Sequence, residues 1–224
     1  MVMKNDWKYL DFCDLVGSQI EETRLSYDTH SKQYAEKWEW NEKIASITKR
    51  DYVEPFVKLV KKNGVVMVIG CGTGRDLKVL GNLGYRYLGI DSSVGMATEA
   101  IGKRGVDGPI LIGEIETLNV AADSFDGVLV DSAIEHIRKV NVKTVLEKLY
   151  EALKKDGVLL IRFRIGTGKV FVVKDVVGTR YFTSYKDSES RRLVTSNGFT
   201  VLKDYSTNHL DSLRPGFHTY ILRK

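Results

Sequence analysis

Residues 65–77 read Val-Val-Met-Val-Ile-Gly-Cys-Gly-Thr-Gly-Arg-Asp-Leu. An apolar stretch, 65–69, leads directly into three glycines at alternate positions, Gly70, Gly72 and Gly74. A second apolar stretch, 85–90, ends at Asp91, seventeen residues after Gly74. A strand, a glycine-rich turn, a helix and a second strand that ends in an acid form half of a nucleotide-binding unit.

The glycines and the acid each have a chemical reason to be there. Glycine lets the backbone approach a ligand closely, because a Cβ would collide with it or block the required φ angle. A helix that begins near Thr73 would direct its free N–H groups at the loop and favour a carboxylate or phosphate. Asp91, at the tip of the second strand, is placed to accept the two hydroxyls of a ribose.

The spacing distinguishes two kinds of nucleotide. A dinucleotide fold has the fingerprint Gly-x-Gly-x-x-Gly, whereas this chain has Gly-x-Gly-x-Gly and carries Arg75 where the third glycine of that fingerprint belongs. A second acidic segment, 113–116, follows a short apolar run, where a carboxylate can read the edge of an adenine. One acid for a ribose and another for an amino group indicate a single adenosine.

The remaining chain alternates between apolar runs and helical patterns. We predict strands at 65–70, 85–91, 110–112, 127–131 and 158–163, and helices at 75–83, 94–103 and 140–154. The strands are continuous apolar runs, as expected when both faces of a sheet are buried. We therefore predict an α/β fold with a doubly wound, mostly parallel, seven-stranded Rossmann-like sheet.

Both ends of the chain depart from this alternation. Residues 1–50 predict an N-terminal helical extension or lid, followed by a cofactor-binding domain at 51–224. Residues 165–183 contain several glycines and predict an inserted loop or hairpin. The final runs, 199–205 and 217–222, are joined by a link too short for a crossover helix, so we expect an antiparallel last strand.

Composition excludes several classes of protein. The chain has 224 residues, no apolar run near the roughly 20 residues of a membrane span, and an N-terminus without the apolar core of a signal peptide. We therefore expect a cytoplasmic protein that binds no membrane. Cys13 and Cys71 are expected to be reduced, Cys71 being a small filler rather than a nucleophile, and they make no metal-binding pattern. The net charge of +5 is spread along the chain, which favours a solvated surface over a nucleic-acid interface.

Five segments in this order and spacing resemble motifs of class I S-adenosylmethionine-dependent methyltransferases, of the small-molecule kind called methyltransferase type 11. The segments are 66–74, 89–96, 113–116 with 124–126, 131–137 and 153–159. The resemblance covers roughly residues 50–165, with a fainter similarity around residues 27–35. It implies that the protein binds S-adenosyl-L-methionine and transfers its methyl group.

The resemblance also implies a set of cofactor-binding residues. In chain order these are Tyr27, Tyr34, Gly70, Cys71, Gly72, Gly74, Asp91, Ser92, Met96, Glu114, Ile115, Glu116, Asp131 and Ser132. The glycine loop lines the methionine end, Asp91 binds the ribose, Met96 packs on the adenine, and Asp131 lies near the methionine amino group. Glu114 replaces the usual Asp of the third motif, and Glu116 or a backbone N–H is the alternative contact for the adenine amino group.

His136 is the candidate catalytic residue, because it follows the fourth strand closely enough to take a proton from an acceptor. The alternative is a structural or site-lining role. Tyr27, Tyr34 and Trp40 are candidates for a lid over the cofactor. Charged side chains near the ends of the late strands are candidates to meet an anionic acceptor: Arg162, Arg164, Arg214 and His218.

The identity of the methyl acceptor is argued by elimination. The Asn/Asp-Pro-Pro-Tyr motif of enzymes that methylate base amino groups is missing after the fourth strand, and neither cysteine lies where C5 methylation of pyrimidines needs one. We predict O- or N-methylation of a small molecule by a monomer or homodimer. A tRNA- or protein-directed methyltransferase and a non-catalytic partner-binding subunit remain as alternatives; RNA is possible but not indicated.

Overall fold

The computed structural model describes residues 16–39, 49–207 and 216–224. Its strands are β1 Val65–Ile69, β2 Arg86–Asp91, β3 Ile110–Ile112, β4 Phe125–Val130, β5 Leu153–Arg164, β6 Val170–Asp175, β7 Gly178–Thr183, β8 Thr200–Thr207 and β9 Phe217–Arg223. Its α-helices are α1 Val16–Thr29, α2 Ser31–Tyr34, α3 Glu54–Val57, α4 Arg75–Asn82, α5 Val94–Gly102, α6 Val142–Ala152 and α7 Asp187–Thr195. None of the helices in the described ranges combines the length and the apolar composition that a membrane-spanning helix requires.

The seven-stranded sheet has the order β3-β2-β1-β4-β5-β9-β8. β1 pairs in parallel with β2 and β4, while β9 runs antiparallel to both β5 and β8. The predicted doubly wound, mostly parallel sheet with an antiparallel last strand is therefore confirmed. The order reverses between β2-β1 and β4, and in open α/β sheets ligands bind at the carboxyl ends of the strands beside such a switch point.

Apolar side chains cover both faces of the sheet. Met67 and Ile69 belong to a core cluster with α6 and α7, whereas Val66 and Val68 belong to a cluster with α3, α4 and α5. All residues of β4 are buried. Alternate residues of β1 thus feed two separate cores, which is the reason its sequence is apolar throughout.

The boundary between α6 and β5 differs from the prediction. The helix predicted for residues 140–154 begins with a 3₁₀ turn at Lys139–Asn141 and ends at Ala152, and β5 begins at Leu153. Leu153 is fully buried and pairs with Phe125, so burial draws this residue into the sheet rather than the helix. Lys155, Asp156 and Gly157 lie within β5, where the pairing with β4 shifts its register and Asp156 has a φ of 63°.

The segments flanking the core are also partly described. Residues 165–183 contain the β6–β7 hairpin, which forms its own two-stranded sheet. α1 lies against β7 and α5. π-helical turns occur at Ala35–Glu39 and Lys49–Val53, the latter continuing into α3. The division of the chain at residue 50 stays a prediction, because residues 1–15 and 40–48, with Cys13 and Trp40, lie outside the described residues.

Candidate functional site

The glycine loop joins β1 to α4 through backbone conformations that favour glycine. Gly70 has a φ of 64° and Gly72 a φ of 52°. A Cβ added at Gly70 would lie 2.5 Å from the Cβ of Ala133, so the loop passes directly against the chain after β4. A Cβ added at Gly72 would meet nothing within 4 Å, because Gly72 faces the open cavity above the sheet.

Gly74 packs against protein rather than against the cavity, and its predicted contact with the cofactor stays a prediction. It does not line the cavity: a Cβ added there would lie 2.6 Å from Val106 Cγ2 and 2.9 Å from Ala100 Cβ. Gly74 is the N-cap residue of α4 and has a φ of 77°. Its role in the fold is the close packing of the loop against α5, and the sequence pattern alone does not separate this role from ligand contact.

Asp91, at the end of β2, holds the glycine loop from the side. Its Oδ2 accepts a hydrogen bond from the Gly72 backbone N–H at 2.7 Å, and its Oδ1 accepts one from the Ser93 N–H at 2.9 Å. Burial raises the pKa of the Asp91 carboxyl, and these two backbone N–H groups act against that rise. One carboxylate thus fixes both the glycine loop and the start of α5.

The cavity lies at the carboxyl ends of β1, β2 and β4, under α1 and α2. With the exception of Gly74, every predicted site residue lines it. The lining residues are Ile20, Thr23, Arg24, Tyr27, Tyr34, Ile69, Gly70, Cys71, Gly72, Arg75, Asp76, Ile90, Asp91, Ser92, Met96, Gly113, Glu114, Ile115, Glu116, Asp131, Ser132, Ala133, His136 and Ile137. Within the described residues, no group of three or more His, Cys, Asp and Glu side chains is arranged to hold a metal.

The side of the cavity next to β3 is partly apolar. Met96 and Ile115 are buried there. The carboxylate of Glu116 accepts a hydrogen bond from Asn141 Nδ2 at 2.6 Å, so this acid also ties the loop to the turn before α6. The Glu114 side chain borders the cavity and makes no hydrogen bond within the described part of the chain, which makes it the better placed of the two acids to meet a ligand.

Asp131, at the end of β4, lies between two arginines. Its Oδ2 accepts a hydrogen bond from Arg75 Nη2 at 2.7 Å, and its Oδ1 accepts one from Arg162 Nη1 at 2.5 Å. Burial disfavours the charged carboxylate, but the two guanidinium groups outweigh it and lower the pKa of Asp131. The cavity floor therefore contains a buried ion-pair network, which the sequence pattern did not indicate.

Two aromatic rings hold Arg162 of this ion-pair network in place. Arg162 lies between the rings of Tyr52 and Phe217, with its guanidinium carbon 4.0 and 4.2 Å from their centroids. Arg162 is therefore part of the core beneath the cavity and is not free to meet an anionic acceptor. Ser132, next to Asp131, has a φ of 56°, a conformation that non-glycine residues adopt rarely and that often occurs at functional sites.

His136 is fully engaged in hydrogen bonds. Its Nδ1 lies 2.7 Å from the Tyr181 carbonyl oxygen, and its Nε2 lies 2.9 Å from Tyr27 Oη. Burial lowers the pKa of His136 to about 3. The side chain is thus a neutral imidazole at physiological pH, and its second nitrogen is covered by Tyr27 of helix α1, so it is not poised as a general base in this arrangement.

The other candidates for contact with an acceptor have partners of their own. The Arg164 guanidinium lies 3.6 Å from Glu135 and packs on Phe182, and His218 Nε2 lies 2.9 Å from Asp187 Oδ1. Arg214 lies outside the described residues. Burial also raises the pKa of the Cys71 thiol, which agrees with a filler rather than a nucleophile.

The two loop glycines give a direct test of this assignment. We expect Gly72→Ala to weaken binding of an adenosine ligand about tenfold while costing only about 1 kcal/mol of stability, because its Cβ enters the cavity and meets no protein atom. Gly74→Ala should destabilise the fold more, since its Cβ overlaps α5. Urea unfolding and ligand titration of both variants measure this difference. Equal stability losses would contradict the assignment.

The fold defines a Rossmann-like α/β protein, with a cavity at the ends of β1, β2 and β4, where such sheets bind their ligands. A family model described as a methyltransferase domain matches residues 67–161. Residues 67–161 thus match the family that the motifs predicted, the class I S-adenosylmethionine-dependent methyltransferases.

Individual relatives agree with this family. The chain is 31% identical over 134 residues to an uncharacterized protein of Methanocaldococcus jannaschii, covering 60% of this chain and 48% of the relative. It is 32% identical over 104 residues to the mitochondrial ubiquinone biosynthesis O-methyltransferase of Rattus norvegicus, covering 43% of this chain and 29% of the relative. The chain thus spans half or less of the length of these two relatives.

A solved structure has the same fold over the whole chain. It is the 1,6-didemethyltoxoflavin-N1-methyltransferase of Burkholderia thailandensis, which contains bound 1,6-didemethyltoxoflavin and S-adenosylhomocysteine. The TM-score is 0.72 at 16% identity, with 100% of this chain and 97% of the other covered. At this identity the likeness establishes the fold alone.

Proposed function

We propose that the protein is an S-adenosylmethionine-dependent methyltransferase that transfers the methyl group to an oxygen or nitrogen of a small molecule. The observation that carries the proposal is the hydrogen bond from the Gly72 backbone N–H to the Asp91 carboxylate. A carboxylate at the end of β2 is hydrogen-bonded to the loop residue whose missing side chain leaves the cavity open. A ribose needs such a carboxylate, and the loop leaves room for the rest of the cofactor.

The chain fits an adenosine cofactor along the length of the cavity. Asp91 would hold the ribose hydroxyls, and Met96 and Ile115 provide an apolar surface for the adenine beside Glu114. Gly70, Cys71 and Gly72 would border the methionine end. Asp131 would face the amino group, and its negative charge is maintained by the arginines that lower its pKa.

The chemistry requires little from the protein beyond placement. The bound cofactor supplies a methyl group on a positively charged sulfur, which is already activated for in-line displacement by a nucleophile. The protein contributes proximity and orientation, since the buried Asp91 and Asp131 fix the two ends of the cofactor. α1 covers the cavity with Tyr27, which limits the access of water to the reacting atoms.

A small acceptor is favoured by the enclosure of the site and by the relatives. Helix α1 contributes Ile20, Thr23, Arg24 and Tyr27 to the cavity wall, which leaves an opening better suited to a small molecule than to a duplex or a folded RNA. Of the relatives described above, one is named as an O-methyltransferase of ubiquinone biosynthesis and one as an N1-methyltransferase of 1,6-didemethyltoxoflavin. We further propose a cytoplasmic monomer or homodimer.

Transfer of a radiolabelled methyl group tests the proposal. The protein is incubated with methyl-labelled S-adenosylmethionine and, in separate reactions, with a small-metabolite extract, total tRNA and a protein extract. We expect label in the metabolite fraction, and none with Asp91→Ala. Label that enters only tRNA or protein would overturn the small-molecule acceptor, and a salt series would then report the phosphate contacts of an RNA substrate.

A further inference from the structure

The hydrogen bond between Tyr27 and His136 joins α1 to the 3₁₀ turn Ile134–His136 that follows β4. A carbonyl oxygen only accepts hydrogen bonds, so the contact of His136 Nδ1 with the Tyr181 carbonyl places the imidazole hydrogen on Nδ1. The other nitrogen, Nε2, is then an acceptor, and Tyr27 donates its hydroxyl hydrogen to it. The Tyr181 carbonyl of strand β7 therefore determines that Tyr27 is the donor and His136 the acceptor.

Packing holds both rings in this geometry. The centroid of the Tyr27 ring lies 5.3 Å from that of His136 and 5.4 Å from that of Tyr34, both in edge-to-face contact. Phe182 lies 4.6 Å from the His136 ring on its other side. The aromatic cluster thus includes residues from α1, α2, β7 and the turn after β4.

Burial keeps the His136 imidazole neutral, and the charged groups around the pair add to this effect. Arg180 Nη1 lies 3.5 Å from Tyr27 Oη, and both Arg180 and Arg164 disfavour a positive charge on His136. Burial raises the pKa of the Tyr27 hydroxyl, and the nearby carboxylates of Glu135 and Asp91 raise it further. Burial is the largest cause of the low pKa of His136, so the imidazole does not change its charge between about pH 5 and pH 8.

The residue after Tyr27 attaches α1 to the opposite side of the cavity. Asp28 Oδ1 accepts hydrogen bonds from the Gly95 N–H at 2.7 Å and from Ser93 Oγ at 3.0 Å. These groups begin α5, directly after Asp91 and Ser92. Two residues earlier in the same helix, Ser26 Oγ donates a hydrogen bond to the Thr179 carbonyl oxygen and accepts one from the Thr179 N–H in β7. Helix α1 is therefore fastened on both sides of the cavity.

We propose that the Tyr27–His136 hydrogen bond holds α1 closed over the bound cofactor, and that Tyr27 is a positioning residue for methyl transfer. This proposal rests on the proposed function, because it concerns the same cavity. A cofactor between Asp91 and Asp131 lies under α1 and leaves only after the helix separates from the turn after β4. Closure of this kind excludes water and controls ligand release in many enzymes.

The rate of S-adenosylhomocysteine release tests the proposal without an acceptor. Labelled ligand is bound to the full chain and chased with an excess of unlabelled ligand, and the decay of bound label gives the dissociation rate constant. Tyr27→Phe removes the donor, His136→Asn keeps a group near Nδ1 but loses the acceptor at Nε2, and His136→Gln keeps an acceptor oxygen near Nε2. Tyr185→Phe is the matched control, because the Tyr185 hydroxyl is buried without a hydrogen-bond partner among the described residues.

We expect Tyr27→Phe and His136→Asn to release the ligand about tenfold faster than the wild type, equivalent to about 1.4 kcal/mol, the size of one hydrogen bond. His136→Gln and Tyr185→Phe should release it at nearly the wild-type rate. The wild-type rate should also be constant between about pH 5.5 and pH 8, since His136 stays neutral.

Several results would overturn the proposal. One is a release rate for Tyr27→Phe and His136→Asn equal to that of Tyr185→Phe, while all variants still bind the ligand. In that case the inference about α1 is wrong, and the proposed function is unaffected. Equal acceleration in His136→Gln and His136→Asn would show that the hydrogen bond to Tyr27 is not what closes the helix. If the wild type binds no S-adenosylhomocysteine at all, the proposed function fails and this inference fails with it.

Discussion

Replacing Asp131 with alanine is expected to lower the free energy of unfolding by about 3–5 kcal/mol, the usual cost of breaking a buried ion pair by removing one partner. The carboxylate accepts hydrogen bonds from Arg75 and Arg162, and Arg162 is itself only 3% exposed. Without Asp131, the Arg162 guanidinium stays buried between two aromatic rings and has lost the carboxylate to which it donates a hydrogen bond. Urea denaturation followed by circular dichroism measures the loss.

A double variant is the matched control for this loss. In Asp131→Ala combined with Arg162→Met, the unpaired charge is gone and an apolar side chain of similar length fills its space. Because the cost comes mainly from the uncompensated charge, the double variant should be more stable than Asp131→Ala alone. A double variant that is less stable than either single variant would contradict this account.

The pH dependence of stability follows from the same carboxylate. The folded-state pKa of Asp131 is lowered, so its contribution to stability is complete above the unfolded-state pKa of about 3.9 and is lost as the pH falls through the folded-state value. The wild type should therefore lose more stability than Asp131→Ala as the pH falls from about 5 to about 2. Equal losses would show that Asp131 is not charged in the folded protein.

Replacing Asp91 with alanine is expected to weaken S-adenosylhomocysteine binding about 100-fold, or about 3 kcal/mol. The variant loses the proposed ribose contacts, and hydrogen bonds to charged groups contribute about 1.5–3 kcal/mol each. It also loses the two backbone hydrogen bonds that hold Gly72 and the start of α5 in place. Isothermal titration calorimetry measures the change in affinity.

Asp126→Ala is the matched control for Asp91→Ala. Asp126 also accepts a backbone N–H, from Val65 at 2.9 Å, and pairs with Lys154 at 2.8 Å, but it does not line the cavity. Both variants should be less stable than the wild type, yet Asp126→Ala should keep its affinity within about twofold, since distant sites act independently. An equal loss of affinity in both would show that Asp91 acts only through the fold.

The sequence predicted the parts of the site that depend on local pattern. Gly70, Gly72 and Asp91 lie where the order of strand, loop and second strand placed them. This succeeds because parallel strands bring their carboxyl ends to one edge of the sheet, so residues after consecutive strands meet there. The position of His136 after the fourth strand placed it at the cavity in the same way, whereas Asp131 was predicted from the family resemblance.

Tertiary contacts decided the parts that the sequence did not predict. Whether Gly74 faces a ligand or α5 depends on Ala100 and Val106, which lie far along the chain. The pairing of Arg75 and Arg162 with Asp131 joins three elements, and no spacing rule connects them. The hydrogen bonds of His136 join it to Tyr27 and Tyr181, which lie 109 and 45 residues away, and its low pKa comes mainly from burial. Burial and partner geometry, which control these properties, are not visible in a single sequence.

A calorimetric titration of the wild-type protein with S-adenosylhomocysteine, run beside one with NAD⁺, tests the central claim most directly. The claim is that the cavity between Gly72 and Asp91 binds a single adenosine that carries a methionine-derived tail. We predict saturable binding of S-adenosylhomocysteine with a dissociation constant in the micromolar range, and no binding of NAD⁺. Heat with NAD⁺ and none with S-adenosylhomocysteine at about 1 mM, where even weak complexes form, would contradict it.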